Sequence, residues 1–238
     1  MKKIFFVLVV GILFFITACN DEDGYSLNTQ WIGFGILQEN GSPRIVMDNG
    51  DLLIPVSYAH NHLDLDQIIT DNHEKLEDGE RVLVNYTVLD DEQNNDGEIT
   101  LYYVKINSIR KILLKDIMDI TTENADSVGN DPIIVKDVWM SSGMLNFKIK
   151  YWGFDQMHYI NLVKDPGIPT EDKQPIALEL RHNANGDSEN IPYVAYVSFK
   201  LGEIEISGLD SVEFVVTATD YDGEGFEYEG VYSYGEDN

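Results

Sequence analysis

Two histidines separated by a single residue are the first candidates for chemistry in this sequence. On an extended strand His60 and His62 would point the same way, because side chains alternate between the two faces. Together with Asp64 or Asp66 they would supply imidazole and carboxylate ligands to one metal ion. A polar loop leaving a strand accounts for the same residues without a metal, so both interpretations stay open.

A second candidate metal site lies near the end of the chain. Asp220, Asp222 and Glu229 match the later ligand positions of a calcium-binding loop. The first ligand position holds Ala218, and the flanking segments read as strands rather than helices. A hairpin turn rich in acidic residues explains these positions better. Calcium is the one cofactor that the sequence leaves open, and otherwise we expect none.

Two short blocks contain the residue types of a serine hydrolase, Gly186-Asp187-Ser188 and Asp155-Gln156-Met157-His158. A nucleophilic serine needs a base within hydrogen-bond reach and a strand-to-helix turn that exposes its hydroxyl. Here the blocks occur in the reverse order, and residues 183–190 read as a hairpin turn. We therefore interpret the match as coincidence and predict no catalytic residue. The sequence contains no G-x-S-x-G block, phosphate-binding loop or dinucleotide fingerprint.

Aromatic residues offer a further way to bind a ligand. Tyr228 and Tyr232 alternate with acidic and small residues on one predicted strand, and Trp139 and Trp152 lie on two others. Exposed rings of this kind stack on sugar rings, whereas buried rings form core with their polar atoms at the rim. Core is the expected role, and ligand stacking is the alternative.

The elements that would position these residues are short strands. In the first half they are predicted at residues 31–38, 44–48, 52–58, 81–89 and 99–113. Asn49-Gly50 between two apolar runs is the strongest short hairpin signal. Residues 60–78 are expected to form a short helix or ordered loop, and residues 90–98 an acidic turn. Five strands with a connection of this kind after the third are typical of a small OB-type β-barrel, predicted over residues 31–115.

The second half reads purely as strands and turns. Leu145, Phe147 and Ile149 alternate with Asn146 and Lys148, which predicts a strand with one apolar face. Seven such strands, broken by glycine and proline turns, indicate a β-sandwich over residues 116–238. They are predicted at 133–139, 144–152, 158–164, 176–183, 193–200, 213–219 and 226–234. The predicted fold class is all-β, an OB-type barrel followed by a sandwich.

The first 18 residues read as a secretory signal peptide. Lys2 and Lys3 precede an apolar run from Ile4 to Ile16, and small residues lead into Cys19, the only cysteine of the chain. At about 1.5 Å per residue the run is too short to cross a hydrocarbon core of about 30 Å. The end of this segment resembles a bacterial lipobox. That resemblance implies that the thiol is acylated and that Cys19 becomes a lipidated N-terminus.

Residues 19–30 are polar and read as an acidic tether behind the lipid. Asp21, Glu22 and Asp23 resemble the surface-export signal of Bacteroidota lipoproteins, although a solvated tether in an acidic protein would look the same. We therefore predict an outer-membrane lipoprotein that faces the cell exterior. Once Cys19 is lipidated, no thiol remains for a disulfide or a cysteine nucleophile.

The charge balance limits the choice of partners. The chain has 16 basic and 42 acidic residues, a formal net charge of −26. Such a field repels phosphate backbones and anionic lipid headgroups, which disfavours nucleic-acid binding. We expect contact with the membrane through the acyl chains alone. The predicted partners are an envelope protein or a glycan, and not a nucleic acid.

Several segments resemble the NigD-like lipoproteins. In the first half the match lies in the lipobox and in Gly79-Glu80-Arg81-Val82. In the second half it runs through Gly129-Asn130-Asp131-Pro132-Ile133, Asp137-Val138-Trp139, Leu145-Asn146-Phe147, His158-Tyr159-Ile160-Asn161-Leu162 and Leu180-Arg181-His182-Asn183. The resemblance implies an N-terminal OB-type domain and a C-terminal β-sandwich. It implies no reaction, since the family name comes from a bacteriocin-associated locus. Met144 departs from the pattern, which tends to have an aromatic residue before Leu-Asn.

These observations predict a non-enzymatic binding or accessory lipoprotein of the cell envelope. The rival from the enzyme class is a glycan-directed hydrolase, which needs two carboxyl groups at a defined separation. A third hypothesis, an immunity or self-protection protein, rests only on the bacteriocin association of the family name.

Overall fold

The computed structural model describes residues 25–59, 75–95, 97, 99–223 and 225–235. Almost all regular structure in these ranges is β-strand, which confirms the predicted all-β class. The strands form a closed barrel followed by two further sheets. Within the described part of the chain, no helix is long and apolar enough to cross a membrane.

Five strands close the barrel in the order β1-β2-β3-β5-β4. β3 runs parallel to β5, and the other described pairs are antiparallel. The Asn49-Gly50 turn joins β2 to β3 as predicted, with Gly50 at a φ of 86°. The strand bounds are β1 Gln30–Asn40, β2 Ser42–Met47, β3 Leu52–Tyr58, β4 Arg81–Gln93 and β5 Ile99–Lys111.

The barrel core follows from the alternation along β4. Val82, Val84 and Val88 are fully buried inside the barrel, as the period of two predicts. β1 approaches β2 closely because Gly35 has no side chain. A Cβ on Gly35 would lie 2.6 Å from the Cγ2 atom of Ile45.

The acidic turn predicted at residues 90–98 starts too early. β4 continues to Gln93, and Asp90, Asp91 and Glu92 all pair with β5. Sequence reasoning took charge and polarity as turn signals. Here the backbone ladder of a long hairpin continues beyond the apolar stretch, because strand pairing requires only backbone groups.

The remaining strands form the sandwich. One sheet has the order β14-β13-β11-β10-β7 and the other the order β6-β12-β9-β8. Two short 3₁₀ segments, Glu171–Lys173 and Leu201–Ile204, interrupt the strands. The elements are β6 Leu113–Asp116, β7 Met118–Asp119, α1 Ala125–Val128, β8 Ile134–Ser141, β9 Met144–Gly153, β10 Tyr159–Lys164, β11 Ile176–Asn183, β12 Ile191–Lys200, β13 Ser211–Ala218 and β14 Phe226–Ser233.

The two sheets enclose one apolar core. Leu145, Phe147 and Ile149 on β9 are fully buried and belong to the same cluster as Leu178 and Phe214 of the opposite sheet. The apolar face predicted for this strand is therefore the inner face. Asn146 lies on the other face of β9 and is buried as well, with 1% of its surface exposed. The polar residue at this position therefore does not mark an exposed face.

The hairpin turn predicted at residues 183–190 is wrong. β11 pairs with β10 and β13, whereas β12 pairs with β9 and β6 in the other sheet. The segment between β11 and β12 therefore crosses from one sheet to the other. Sequence signals for a turn are local and do not report which sheet the next strand joins.

The barrel packs against the outer face of the β6-β12-β9-β8 sheet. Phe34 on β1 contacts Trp139 and Tyr196, with ring centroids 5.3 and 5.2 Å away. Beside these rings lies Arg81, whose guanidinium is 5.4 Å from the Phe34 ring centroid and entirely buried.

Arg81 is held by side chains from both domains, which we call the junction cluster: Asp48, Arg81, Ser141, Asn146 and Ser198. Its guanidinium pairs with both carboxylate oxygens of Asp48, with Nη2 2.6 Å from Oδ2. Nη2 also donates to the Asn146 side-chain oxygen at 3.0 Å. Ser141 donates to Asp48 at 2.7 Å, and Ser198 donates to Asn146 at 2.7 Å. The buried charge is thus paired and its donors are bonded across the domain boundary.

Replacing Asp48 by alanine should destabilise the protein by about 3–5 kcal/mol, because it leaves the Arg81 guanidinium buried without a counter-charge. Urea unfolding with linear extrapolation measures this difference. Asp210→Ala, at an exposed position on the sandwich, is the control and should change the free energy of unfolding by less than about 0.5 kcal/mol. Equal effects of the two variants would contradict a special role for the junction cluster.

Candidate functional site

A cleft of about 400 Å³ opens at one end of the sandwich, where strands of both sheets begin or end. Near the end of β9, Tyr151 lies directly opposite Tyr193 on β12. In the other sheet, His182 near the end of β11 lies opposite Ile160 on β10. His158 precedes Ile160 by two residues and therefore lies near His182. Antiparallel pairing in both sheets therefore gathers residues that are distant in the sequence.

Four of these residues form a continuous row of rings, which we call the ring stack. Tyr193 stacks on Tyr151 with centroids 5.8 Å apart, and Tyr151 stacks on His158 at 4.7 Å. His158 in turn meets His182 edge to edge, with the two rings 26° from parallel and their centroids 5.0 Å apart. The stack runs from Tyr193, which is 39% exposed, to His182, which is 1% exposed. It connects the surface of the cleft to the sandwich interior.

A chain of polar contacts follows the same path. The carbonyl oxygen of Pro132 lies 2.9 Å from Nδ1 of His182. Nε2 of His182 lies 2.8 Å from Nδ1 of His158, and Nε2 of His158 lies 3.1 Å from Oδ2 of Asp187. The side chains of His158 and Asp187 are only 4% and 2% exposed. Both ring nitrogens of His158 are therefore engaged inside the protein.

Asp187 is fixed as a carboxylate by backbone donors. The N–H of Phe154 donates to Oδ2 at 2.5 Å, and the N–H groups of Asp155 and Ser188 donate to Oδ1 at 3.3 and 2.8 Å. Burial opposes ionisation of Asp187, but these bonds and His158 outweigh it and hold its pKa well below the ordinary value. The carboxylate thereby ties the loop before β12 to the loop before β10.

The electrostatics of His182 differ from those of the carboxylate. Burial lowers the pKa of His182, and the adjacent His158 acts in the same direction. The Pro132 carbonyl opposes both effects but does not outweigh them. His182 therefore favours the neutral ring, with its Nδ1 hydrogen directed at the carbonyl.

A turn between α1 and β8 holds the inner end of this chain in place. The N–H of Asp131 donates to the His182 carbonyl at 2.8 Å, and the Asp131 side chain accepts from the N–H of Ala184 at 2.6 Å. Arg181 donates to the Gly129 carbonyl at 3.3 Å. The turn and the end of β11 are thus joined by backbone and side-chain bonds on both sides of His182.

The rim of the cleft is apolar and exposed. Phe154 is 54% exposed and Met157 69% exposed, and both lie beside the ring stack. Asp155 and Gln156 add polar groups to this rim and bond to each other at 2.9 Å. An aromatic wall with a few polar groups is the usual composition of a small-molecule site.

Gly153 leaves the space in which His158 meets Asp187. A Cβ at this position would lie 2.8 Å from Nε2 of His158 and 2.9 Å from Oδ2 of Asp187. Any side chain here would push the two groups apart. The glycine at the end of β9 is therefore required by close approach rather than by backbone conformation.

The family model described as the NigD-like C-terminal beta sandwich domain matches residues 116–232. This range includes every residue of the cleft. Residues 116–232 of the chain are a NigD-like C-terminal β-sandwich domain.

Solved structures with the same fold cover most of this chain. A candidate toxin-related protein from Parabacteroides distasonis is 26% identical with a TM-score of 0.67, over 87% of this chain and 95% of that one. A protein of unknown function from Bacteroides vulgatus is 29% identical with a TM-score of 0.66, over 88% and 94%. A NigD-like immunity protein from Bacteroides caccae is 18% identical with a TM-score of 0.61, over 89% and 99%. No curated protein matches the sequence.

The four aromatic residues predicted as ligand-stacking candidates do not line the cleft of this NigD-like domain. Trp139 packs against Phe34 between the domains. Trp152 lies edge-on to Tyr221 at 4.8 Å, with the Lys150 Nζ atom 4.4 Å from its ring centroid. Tyr228 is partly buried and packs against the core cluster. Tyr232 belongs to that cluster, is 8% exposed and donates its hydroxyl hydrogen to Glu205.

The acidic residues considered for calcium lie along the β13–β14 hairpin. Ala218 pairs with Phe226, and Val215 pairs with Glu229. The turn that carries Asp220 and Asp222 follows the Ala218–Phe226 pair. Glu229 lies three residue pairs, about 10 Å, away from that pair along the ladder. No three histidine, cysteine or acidic side chains come together as a metal-binding group among the residues that the structure describes.

Other predicted positions fall outside the described ranges. They are the lipidation residue Cys19, the acidic run Asp21, Glu22 and Asp23, and the two histidines His60 and His62. Their roles stay predictions from the sequence.

Sequence reasoning noticed His158 and Asp187 but interpreted their blocks as coincidence. The structure brings these two side chains together, and Ser188 contributes only its backbone N–H to Asp187. His182 was missed altogether as a site residue. A signal existed, since His158, His182 and Pro132 all lie in segments by which the chain resembles the NigD-like family.

Gly153→Ala should separate His158 from Asp187 and destabilise the NigD-like domain by about 1–3 kcal/mol, the usual cost of overpacking. Urea unfolding measures the change. Gly202→Ala is the matched control, because a Cβ there meets no heavy atom within 4 Å. If Gly153→Ala were as stable as Gly202→Ala, the contact between the two side chains would not be a tight constraint.

Proposed function

We propose that this chain is a non-enzymatic, cell-envelope binding lipoprotein that holds its ligand in the cleft beside Tyr151, Phe154 and Tyr193. The observation that carries the proposal is a concave site with an exposed apolar rim and a rigid, hydrogen-bonded floor. Exposed apolar groups gathered around a depression mark binding sites more often than they mark chance surface.

The bonding of His158 supports binding rather than acyl transfer. A catalytic histidine uses one nitrogen for its orienting carboxylate and offers the other to the nucleophile. Here the second nitrogen of His158, Nδ1, contacts Nε2 of His182 and not a hydroxyl group. His182 is in turn bonded through its Nδ1 to the Pro132 carbonyl. Ser188 is therefore not activated by this pair.

The state of Asp187 supports binding rather than glycoside hydrolysis as well. A glycosidase needs one protonated and one ionised carboxyl group on either side of the scissile bond. Asp187 is buried and accepts hydrogen bonds from four donors, which keep it ionised. It is therefore unsuited to act as the general acid of a glycosidase. A carboxylate has about four lone-pair positions, and these four contacts occupy them.

The ligand we favour is one that presents a ring face, such as a sugar of an envelope glycan. Tyr193 and Phe154 offer ring surfaces, and Asp155 and Gln156 offer polar groups that line the same cleft. Aromatic faces pack on rings while nearby carboxylate and amide groups bond to hydroxyls. The field of a chain with net charge −26 adds a preference for neutral or cationic ligands.

Tyr193→Ala should weaken ligand binding about fivefold, since one stacking ring contributes on the order of 1 kcal/mol. The measurement is saturation-transfer NMR with a panel of envelope glycans, followed by titration of any binder. Ile168→Ala, which removes an exposed apolar group outside the cleft, should leave binding unchanged. Cleavage of a glycan by the wild-type protein would overturn the non-enzymatic part of the proposal.

Cys19→Ala should release the protein from the membrane, because stable attachment needs the acyl chains on that sulfur. Cell fractionation and mass spectrometry of the mature N-terminus measure this. Asn20→Ala keeps the sulfur and should stay in the membrane fraction. Alanines at Asp21, Glu22 and Asp23 should keep the protein in the membrane but remove it from surface labelling of intact cells. An unmodified thiol on mature protein would contradict the lipoprotein assignment.

An immunity role is the second candidate. It is supported by the fold shared with a protein named as a NigD-like immunity protein. Deleting the gene and exposing the cells to the bacteriocin of the producing strain tests it. Unchanged survival would rule it out.

A further inference from the structure

The polar chain beneath the cleft runs between two hydrogen-bond acceptors. It begins at the carbonyl oxygen of Pro132, passes through His182 and His158, and ends at the carboxylate of Asp187. The three contacts measure 2.9, 2.8 and 3.1 Å between heavy atoms. At these distances each contact needs one hydrogen atom between its partners.

Neither end of the chain supplies a hydrogen. A peptide carbonyl has none. The two oxygens of Asp187 accept from the N–H groups of Phe154, Asp155 and Ser188, and these bonds together with His158 hold its pKa well below the ordinary value, so Asp187 is a carboxylate without a proton. All three hydrogens must therefore come from the two imidazole rings.

Two neutral imidazoles carry only two N–H hydrogens between them. Whichever tautomers they adopt, one of the three contacts would then place two lone pairs face to face. A third hydrogen means that one ring is an imidazolium. Four hydrogens are also excluded, because two N–H groups would then meet at the 2.8 Å contact between His158 and His182.

We propose that in the folded protein the His158–His182 pair carries one excess proton, that is, one hydrogen more than two neutral rings. This proton completes the hydrogen-bond chain beneath the cleft, so the structure of the cleft floor depends on pH. The imidazolium is His158, which contacts the Asp187 carboxylate, while His182 stays neutral beside the Pro132 carbonyl. Burial lowers the pKa of His182, which agrees with this placement. The part of the inference that concerns ligand access rests on the proposed binding function.

The groups that surround the pair favour a single positive charge. Asp187 faces it from the loop before β12, and Asp131 lies on the other side, in the turn that holds His182. Asp155 lines the cleft on the loop before β10. Tyr151 stacks on His158 from β9, and Tyr193 from β12 lies behind it. Burial raises the pKa of Tyr151, so this ring stays neutral throughout the range in which histidine titrates.

Loss of the excess proton at higher pH breaks the chain at His158. Asp187 keeps its backbone bonds to the loop before β10, and His182 keeps its bond to Pro132. A neutral His158 has one nitrogen without a hydrogen, and the lone pair of that nitrogen faces a lone pair of either Asp187 or His182. The His158 ring relieves this repulsion by turning away from that partner. Because Tyr151 and Tyr193 stack outward from His158, the wall of the cleft changes with it.

The contribution of the pair to stability has a maximum near the ordinary histidine pKa of about 6.5. Two free histidines pass from two excess protons to none around that pH, whereas the folded pair keeps one. Above it the folded state holds more protons than the unfolded chain, so stability falls as pH rises. Below it the unfolded chain holds more, so stability falls as pH falls. The unfolding constant changes by up to tenfold per pH unit on either side.

The test is nitrogen NMR of the ligand-free protein labelled with ¹⁵N-histidine. At pH 7 we expect both nitrogens of His158 in the protonated range, and His182 with a protonated Nδ1 and an unprotonated Nε2. The Tyr151 and Tyr193 ring resonances should shift with the same midpoint as the loss of the His158 proton. Two neutral rings at pH 7, or two charged ones, would overturn the proposal, and static tyrosine resonances would overturn the link to the cleft.

Unfolding measured between pH 7 and pH 8.5 gives an independent readout. His158→Phe keeps a ring on Tyr151 but removes the site of the excess proton, and it should lose the fall in stability that the wild type shows over this range. Asp155→Asn removes a cleft carboxylate without touching the polar chain, and it should keep that fall. The same pH dependence in wild type and His158→Phe would overturn the proposal. None of these measurements needs a ligand, so an absence of glycan binding would count only against the proposed function.

Discussion

The arrangement of this molecule depends on one buried charge, the guanidinium of Arg81. It is fully excluded from water and lies on the outside of the barrel, where the sandwich covers it together with Asp48 and Phe34 of the barrel. A buried cation is tolerated only when it is paired and its remaining donors are bonded. Asp48 supplies the counter-charge from the barrel, and Asn146 supplies an acceptor from the sandwich. Hydrogen bonds of this kind are directional and therefore restrict the mutual position of the two domains more than apolar contacts such as Phe34 on Trp139 do.

The cleft at the far end of the ring stack follows the same physical rule. There the buried groups are two imidazoles and a carboxylate, and the Asp187 carboxylate is satisfied by backbone N–H groups as well as by His158. Both clusters join segments that are far apart in the sequence. Both also draw on segments by which the chain resembles the NigD-like family, since these contain Arg81, Asn146, His158 and His182. Those segments therefore supply bonded polar contacts between elements, in addition to strand residues for the core.

Strand positions were largely predictable, and strand partners were not. The bounds of β11, Ile176–Asn183, match the prediction residue for residue, because alternation of apolar and polar side chains is a local property. The same local reasoning read residues 183–190 as a hairpin, which is wrong because β12 joins the other sheet. It also placed Asn146 on the face opposite the apolar one, without a partner to cover it. Nothing in the neighbourhood of Asn146 in the sequence indicates that the barrel covers it.

The sequence alone determined the all-β class, the inward faces of most strands and the acidic character that disfavours nucleic-acid partners, because composition and a period of two are readable along the chain. Its first residues also carry the prediction of a lipid on Cys19, which needs no fold to be recognised. Only the tertiary structure decided that His158 and His182 share one chain of hydrogen bonds with Asp187, and that Gly153 leaves room for it. His158 and His182 lie at neighbouring strands of one sheet, whereas Gly153 belongs to the other sheet and Asp187 to the loop that crosses between the two. Which sheet each strand joins is set by packing of the whole domain rather than by any local pattern.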